Sequence, residues 1–270
     1  MAMGGILIQS MDHIGANTDV PIVIFSVLRV NTFGIISRIL LVLLSPKLTA
    51  SLLKRSLLRF PSPTHLELKA NEFSGGTWLC WTDHLHVEIL FGHFQFIHCR
   101  IHCKSSHCST LVTFVYASPN VTKRKHLWSY IKDLLLFINE PWLILSDFNA
   151  TTSTKERIGC STPPDPDFIN SIFEYGLHDL GYQGLDFTWS RSNQAVRLDM
   201  RLYNEYWLES FPDTLVHHLL RMKSDHRPIL AQVDDGSSVR FWHDPWLPSF
   251  GHLIDWRAPN VVIDDNPSYP

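Results

Sequence analysis

A chain of 270 residues can bury one substantial core with an appendage, and its formal net charge of −3 gives no global case for nucleic-acid binding, so any such contact must come from a local cluster. Nine tryptophans and 45% hydrophobic residues exclude a disordered chain. Five cysteines, an odd number without a convincing signal peptide, read as reduced intracellular thiols rather than a disulfide framework.

Residues 1–60 carry apolar runs with poor punctuation. The runs 20–30 and 35–44 flank Asn31-Thr32, and Arg29, Asn31 and Arg38 interrupt them. A mid-bilayer Arg is costly, so a buried strand or helix is expected here and no membrane span. From Phe73 the pattern sharpens. Gly75-Gly76 is a turn feeding a strand through Trp81, and residues 87–90 form the next. Residues 94–101 and 110–116 read as a strand pair joined by the polar stretch 104–108. Residues 123–139 have helical spacing, with Leu127, Tyr130, Ile131, Leu134 and Ile138 on one face. The continuous apolar run Leu143-Ile144-Leu145, entered by Pro141-Trp142, is the signal of a strand buried on both faces. Residues 165–175 read as a helix with Phe168, Ile172 and Phe173 inward and Gly176 ending it. Residues 187–190 and 196–202 read as a strand pair around a Ser-Asn-Gln loop, and 229–233 as a last strand. Strands dominate with a few helices between them, which predicts α/β layers. One domain is expected over 1–233. Beyond it, residues 234–238 form a linker and the aromatic, Pro-rich stretch 239–248 is too short for a core of its own. There is no internal repeat.

Chemistry-bearing residues cluster at strand ends. The apolar run 143–145 stops at Ser146-Asp147-Phe148-Asn149, which brings a carboxylate and an amide out at a strand's C-terminal end. Taken alone, Asp147 and Asn149 read equally well as caps of the next turn. Arg197-Leu198-Asp199 places a carboxylate on a strand with apolar neighbours, Ser224-Asp225-His226-Arg227-Pro228 sets a carboxylate beside an imidazole before the last strand, and Tyr116 ends another strand. If these ends converge, they supply acids for a divalent cation, a His oriented by a second Asp, and an amide and a phenol for phosphate oxygens. Those are the parts of metal-assisted phosphoester hydrolysis, with His226 as general base or transition-state stabiliser and Asp199 fixing its tautomer. His98, His102 and His107 with Cys99, Cys103 and Cys108 could be drawn as a zinc site, but no paired ligand spacing supports it. A half-buried hairpin, with His98, Arg100 and His102 alternating with Cys99, Ile101 and Cys103, explains the pattern.

Six motifs, in this order, resemble the endonuclease/exonuclease/phosphatase superfamily of deoxyribonuclease I-like enzymes, and most closely the endonuclease domain of plant LINE-type non-LTR retroelements. They are Phe73-Ser74-Gly75-Gly76-Thr77-Trp78, Val115-Tyr116-Ala117-Ser118-Pro119, Pro141-Trp142 through Asn149-Ala150, residues 184–191, Arg197-Leu198-Asp199, and Ser224 through Pro228. The resemblance implies a four-layered αββα sandwich with a degenerate N-terminal part and a short C-terminal appendage. It also implies Mg²⁺- or Mn²⁺-dependent cleavage of phosphodiesters, with DNA as partner and no obligate protein partner. By the same resemblance Tyr116, Asp147, Asn149, Asp199 and His226 are catalytic, Asp225 is the metal-side carboxylate, and Trp189, with Tyr203 and Trp207 nearby, suits stacking on bases, core packing being the other reading. The family's metal-binding Glu falls at Ser45, a neutral and weak ligand for a hard cation. The family's strand-end Asn falls near Asp12, which could supply a compensating carboxylate. An impaired nuclease is therefore expected, with an inactive relic or a phosphoesterase of small phosphate esters as alternatives. Phe241 through Leu247 resembles a segment following the reverse transcriptase of the same elements, as in a rearranged copy. That parentage points to the nucleus, although Lys123-Arg124-Lys125 is too short a basic run to serve as a targeting signal.

Overall fold

The computed structural model describes residues 22–32, 35–44, 64–69, 76–81, 85–104, 109–219, 221, 225–233, 245–247 and 251–252. In chain order the elements are β1 (Ile22–Thr32), β2 (Ile35–Leu44), β3 (Thr64–Lys69), β4 (Gly76–Trp81), β5 (Leu85–His93), β6 (Phe96–Cys103), β7 (Ser109–Tyr116), α1 (Val121–Leu135) and β8 (Trp142–Asp147). They continue with β9 (Arg157–Ile158), α2 (Pro166–Glu174), β10 (His178–Asp179), β11 (Gln183–Gly184), β12 (Trp189–Arg191), β13 (Gln194–Val196), β14 (Asp199–Tyr203), α3 (Glu205–Ser210), β15 (Thr214–His218) and β16 (Ile229–Val233).

The chain is a mixed α/β sandwich. A six-stranded sheet in the order β10-β14-β8-β7-β6-β5 faces a seven-stranded sheet in the order β11-β15-β16-β1-β2-β4-β3. Leu143 and Leu145 of β8, Val112 and Phe114 of β7, and Cys99, Ile101 and Cys103 of β6 meet Leu79 of β4 and Ala231 and Val233 of β16 in one buried cluster between the sheets. The other face of the six-stranded sheet, through Leu111, Val115, Trp142 and Ile144, packs on Leu127, Trp128 and Ile131 of α1 and Phe168 of α2. This double coverage is why β8 reads as an unbroken apolar run: alternate side chains face two different cores. Asp12, Ser45 and most of the stretch 104–108 lie outside the described residues.

The N-terminal apolar runs are strands that pair antiparallel, and β1 also pairs parallel with β16. Helix α1 starts after Asn120, whose side chain accepts from Lys123 N at 3.2 Å, and ends at Leu135, short of the expected 139. Tyr130, expected inward, is 39% exposed and lies against the ring of His93. Helix α2 is capped by Asp165, which accepts from Asp167 N and Phe168 N, and is closed by Gly176 at φ +59°. Phe173, also expected inward, is 87% exposed, because five residues from Phe168 is about 140° around a helix. The expected strand 196–202 is broken in two. Its first residue, Val196, pairs with Trp189 of β12 in a small three-stranded sheet with β9, while β14 joins the six-stranded sheet beside β8. In the tail, β17 (Pro245–Leu247) and β18 (Gly251–His252) form a two-stranded sheet.

Candidate active site

Three of the expected residues lie in one row across the six-stranded sheet. Tyr116, the last residue of β7, is the parallel-strand partner of Asp147, the last of β8, and Asp147 is the antiparallel partner of Asp199, the first of β14. Strand alternation puts all three on the face that carries Phe114, Leu143 and Leu145 further in, so the inter-sheet core turns acidic at its rim. Asp147 is 1% exposed and Asp199 fully buried. His226 reaches this row from the segment before β16, in the opposite sheet, and its Nδ1 lies 3.0 Å from Asp199 Oδ2. The site therefore sits between the two sheets at one end of the sandwich.

Backbone contacts fix the His226 segment. Ser190 N donates to Asp225 O at 2.9 Å, Arg227 N donates to Thr188 O at 2.6 Å, and Trp189 and His226 form an isolated bridge. Trp189 Nε1 donates to Asp225 Oδ2 at 3.0 Å, which places that indole beside the acid expected to face a metal. Asn149, at φ +47°, turns the chain back so that its own N–H donates to Asp147 Oδ1 at 2.8 Å, while its side-chain amide donates to Asp147 Oδ2 at 2.9 Å and to Ala117 O at 2.8 Å. The turn-cap reading of Asp147 and Asn149 thus holds together with their position in the site. Asp199 is further held through its backbone: Thr188 Oγ1 accepts from both Leu198 N and Asp199 N, at 2.9 and 3.0 Å.

Crowding carboxylates in a buried row sets the protonation of its members. Burial, reinforced by Asp199, pushes Asp147 up to about 7, against the pull of His226 and the Asn149 N–H. For His226 burial works against the charged ring, but Asp199, its hydrogen bond, Asp147 and Asp225 outweigh it and hold the imidazole at about 9. Burial, with Asp147 and Asp225 beside it, pushes the Tyr116 phenol up to about 12. Near neutrality the site therefore presents a cationic imidazole, a carboxyl poised to ionise and a neutral phenol.

The donor chemistry suits a hard cation, since carboxylate and amide oxygens are the ligands of Mg²⁺ and Mn²⁺. Asp199 Oδ1 is buried with no hydrogen-bond partner, leaving one carboxylate oxygen able to accept. Among the described residues no three of His, Cys, Asp and Glu converge into a metal cage. Asp225, half-buried next to His226 in the chain, keeps Oδ2 on the Trp189 indole.

For Trp207 and Tyr203 the core-packing reading holds. Trp207 is 1% exposed, donates through Nε1 to Thr214 Oγ1 at 3.0 Å and packs on Phe211, so it is core and offers no stacking surface. Tyr203 packs at the edge of the inter-sheet cluster, with its ring near His178. Sequence reading missed Arg201, fully buried two residues beyond Asp199 on the same face. The alternation of β14 would have placed it there. It also missed Thr188, whose hydroxyl anchors Asp199 and for which the motif 184–191 gave no distinct signal.

No family model matches the chain and no curated protein matches it. Among solved structures it is similar to the endonuclease domain of TRAS1, a telomere-specific non-LTR retrotransposon, with a TM-score of 0.47 and 15% identity over 62% of this chain and 76% of that one. An endonuclease/exonuclease/phosphatase family protein from Bacteroides thetaiotaomicron gives 0.46 and 14% over 66% and 76%. D. rerio TDP2 complexed with single strand DNA product gives 0.46 and 11% over 70% and 82%. At these identities and TM-scores the likenesses carry no inference about chemistry, and none of them bears on a plant origin.

Proposed function

We propose that this chain is a nuclease-type phosphodiesterase domain that hydrolyses DNA with Mg²⁺ or Mn²⁺, working at reduced turnover. The observation that carries the reading is the row Tyr116–Asp147–Asp199 across three strands with His226 bonded to Asp199. Such a row, with Asn149 bonded to Asp147, gathers an acid–base pair, a phenol and an amide in one strip, the parts in-line displacement at a phosphate uses. A bound metal ion would polarise the phosphoryl oxygens, and Asp225 is the carboxylate assigned to hold it. Asp12, which the resemblance places near the metal, lies outside the described residues.

The protonation states divide the labour. His226, cationic at pH 7, donates a hydrogen bond to a developing oxyanion or gives its proton to the leaving oxygen, and does not act as the base. Asp147, held at about 7, is the group able to take a proton from the attacking water. Asn149 holds Asp147 in place, and Tyr116, neutral, is a donor for a phosphate oxygen. The low turnover follows from Ser45 at the position the resemblance gives to a metal-binding Glu, because a hydroxyl lacks the charge that a hard cation needs.

The test is plasmid nicking by the purified chain in Mg²⁺ or Mn²⁺ and in EDTA, beside His226→Ala, Asp147→Ala and Ser45→Glu. Weak metal-dependent nicking that both Ala variants abolish and Ser45→Glu raises is expected. Vigorous nicking in the parent overturns the impairment. Silence in every variant makes the chain a relic, and activity on small phosphate esters without nicking makes it a different esterase.

A further inference from the structure

The basic run Lys123-Arg124-Lys125 is not a uniform surface patch: Lys123 and Lys125 are exposed, whereas Arg124 is 4% exposed. Its guanidinium is divided between two loops. Nε and Nη2 donate to Asp165 Oδ2 at 2.9 and 2.6 Å, and Nη1 donates to the carbonyls of Ser118 and Pro119 at 2.9 and 3.3 Å. Asp165, the cap of α2, is tied to the loop that follows β8 by its N–H, which donates to Thr151 O at 3.1 Å. Ser118 and Pro119 belong to the loop that follows β7, on the chain just past Tyr116. The two loops touch once more at the site itself, where Asn149 Nδ2 donates to Ala117 O at 2.8 Å. Buried Gln95 holds the first loop from its other side, accepting from Ser118 N at 2.7 Å and donating to Lys123 O at 3.0 Å.

The contacts close a ring from Asn149 through Thr151, Asp165, Arg124 and Ser118 back to Ala117. A bidentate donor buried against one carboxylate fixes direction as well as distance, in a way a Lys could not. We propose that Arg124 and Asp165 are positioning residues for the site, setting the loop of Asn149 against the loop of Tyr116. The proposal rests on the phosphodiesterase reading above. Neither residue touches substrate; both act through Asn149, the amide that holds Asp147.

A structural role and a positioning role separate in the double variant. Arg124→Met alone strands a buried carboxylate, so it destabilises the chain. Arg124→Met with Asp165→Asn removes both charges while Asn keeps the helix cap, and restores folding. In that folded double variant, a tenfold to hundredfold fall in kcat for plasmid nicking is expected, on the order of what a 1 Å misplacement costs, with KM changed by less than about threefold. The Asn149 side-chain amide protons should exchange about tenfold faster by NMR, because their partners are no longer held, while the Trp207 indole proton is unmoved. The exposed control Lys125→Met changes neither readout. Unchanged kcat in the folded double variant, or an Asn149 amide as protected as in the parent, overturns the proposal. A parent and a Ser45→Glu variant that both nick nothing sink the phosphodiesterase reading alone, and the clamp then stands or falls on the Asn149 exchange.

Discussion

A buried and a half-buried histidine on neighbouring parts of the sandwich are held in different charge states. His98, in the middle of β6, is 4% exposed with Nδ1 2.7 Å from Thr113 Oγ1, and the same hydroxyl accepts from Trp142 Nε1 at 2.8 Å. Burial, with Arg100 nearby, lowers it to about 4. His226 has a side chain only 11% exposed, yet it is held at about 9. Burial is comparable, so the partner decides: a hydroxyl leaves the ring neutral and structural, whereas carboxylates leave it cationic and able to donate. The same comparison tells against the zinc reading for its described residues 98–103, His107 and Cys108 lying outside the described residues. Cys99 and Cys103 point into the inter-sheet core while His98 faces the other way into a hydroxyl.

The largest effect that would break this comparison lies in activity. His226→Ala should lower the kcat of plasmid nicking by roughly a hundredfold to ten-thousandfold. Asp199→Asn should do nearly as much, and should also shift the alkaline limb of the pH–rate profile toward neutrality, since the His226 cation loses its first stabilising charge. A profile unmoved by Asp199→Asn would mean that Asp199 does not set the charge.

Next in size is the pH dependence of folding without metal. His226 is raised from 6.5 to about 9, so its contribution is fully present below 6.5 and is lost as pH rises through 9. Asp147 is raised from 3.8 to about 7, so its contribution is present below 3.8 and is lost as pH rises through 7. Both act in one direction, and urea unfolding in EDTA should show the parent losing at most about 3 kcal/mol on the His226 step. His226→Ala should flatten the upper part of that curve.

The smallest effect sharpens the structural side. Thr113→Val leaves the His98 ring and the Trp142 indole without their hydroxyl and should cost roughly 1–3 kcal/mol in urea unfolding. It should leave the kcat of nicking unchanged at temperatures where the variant is folded.

The legible parts of the sequence were those where one local pattern has one cause. The 143–145 run gave β8 and its end at Asp147, because only a doubly covered strand omits polar alternation. Asp199 and His226 were readable as candidate chemistry from their places at strand ends, and the structure sets His226 Nδ1 3.0 Å from Asp199 Oδ2. What was not legible depends on partners distant in the chain. Arg124 looks like one letter of a solvated basic run until it is seen paired with Asp165, the cap of another helix. Tyr130 lies on the predicted apolar stripe but meets the edge of the sheet, where His93 leaves it half in water. The break between β13 and β14 follows from two sheets competing for adjacent residues, which no local periodicity records.

The parallel pairing of β1 with β16, Ser26 opposite Ile229 and Val30 opposite Val233, joins the first described strand to the last strand of the sandwich. During synthesis β1 waits with that side unpaired until nearly the whole domain has left the ribosome. Contacts this distant along the chain make folding slow and prolong the exposure of an apolar strand edge. Asp225 and His226 immediately precede β16, so the step that closes the sheet also delivers the imidazole to Asp199. A chain interrupted before residue 225 would lose both at once, which ties any chemistry this domain performs to the completion of its fold.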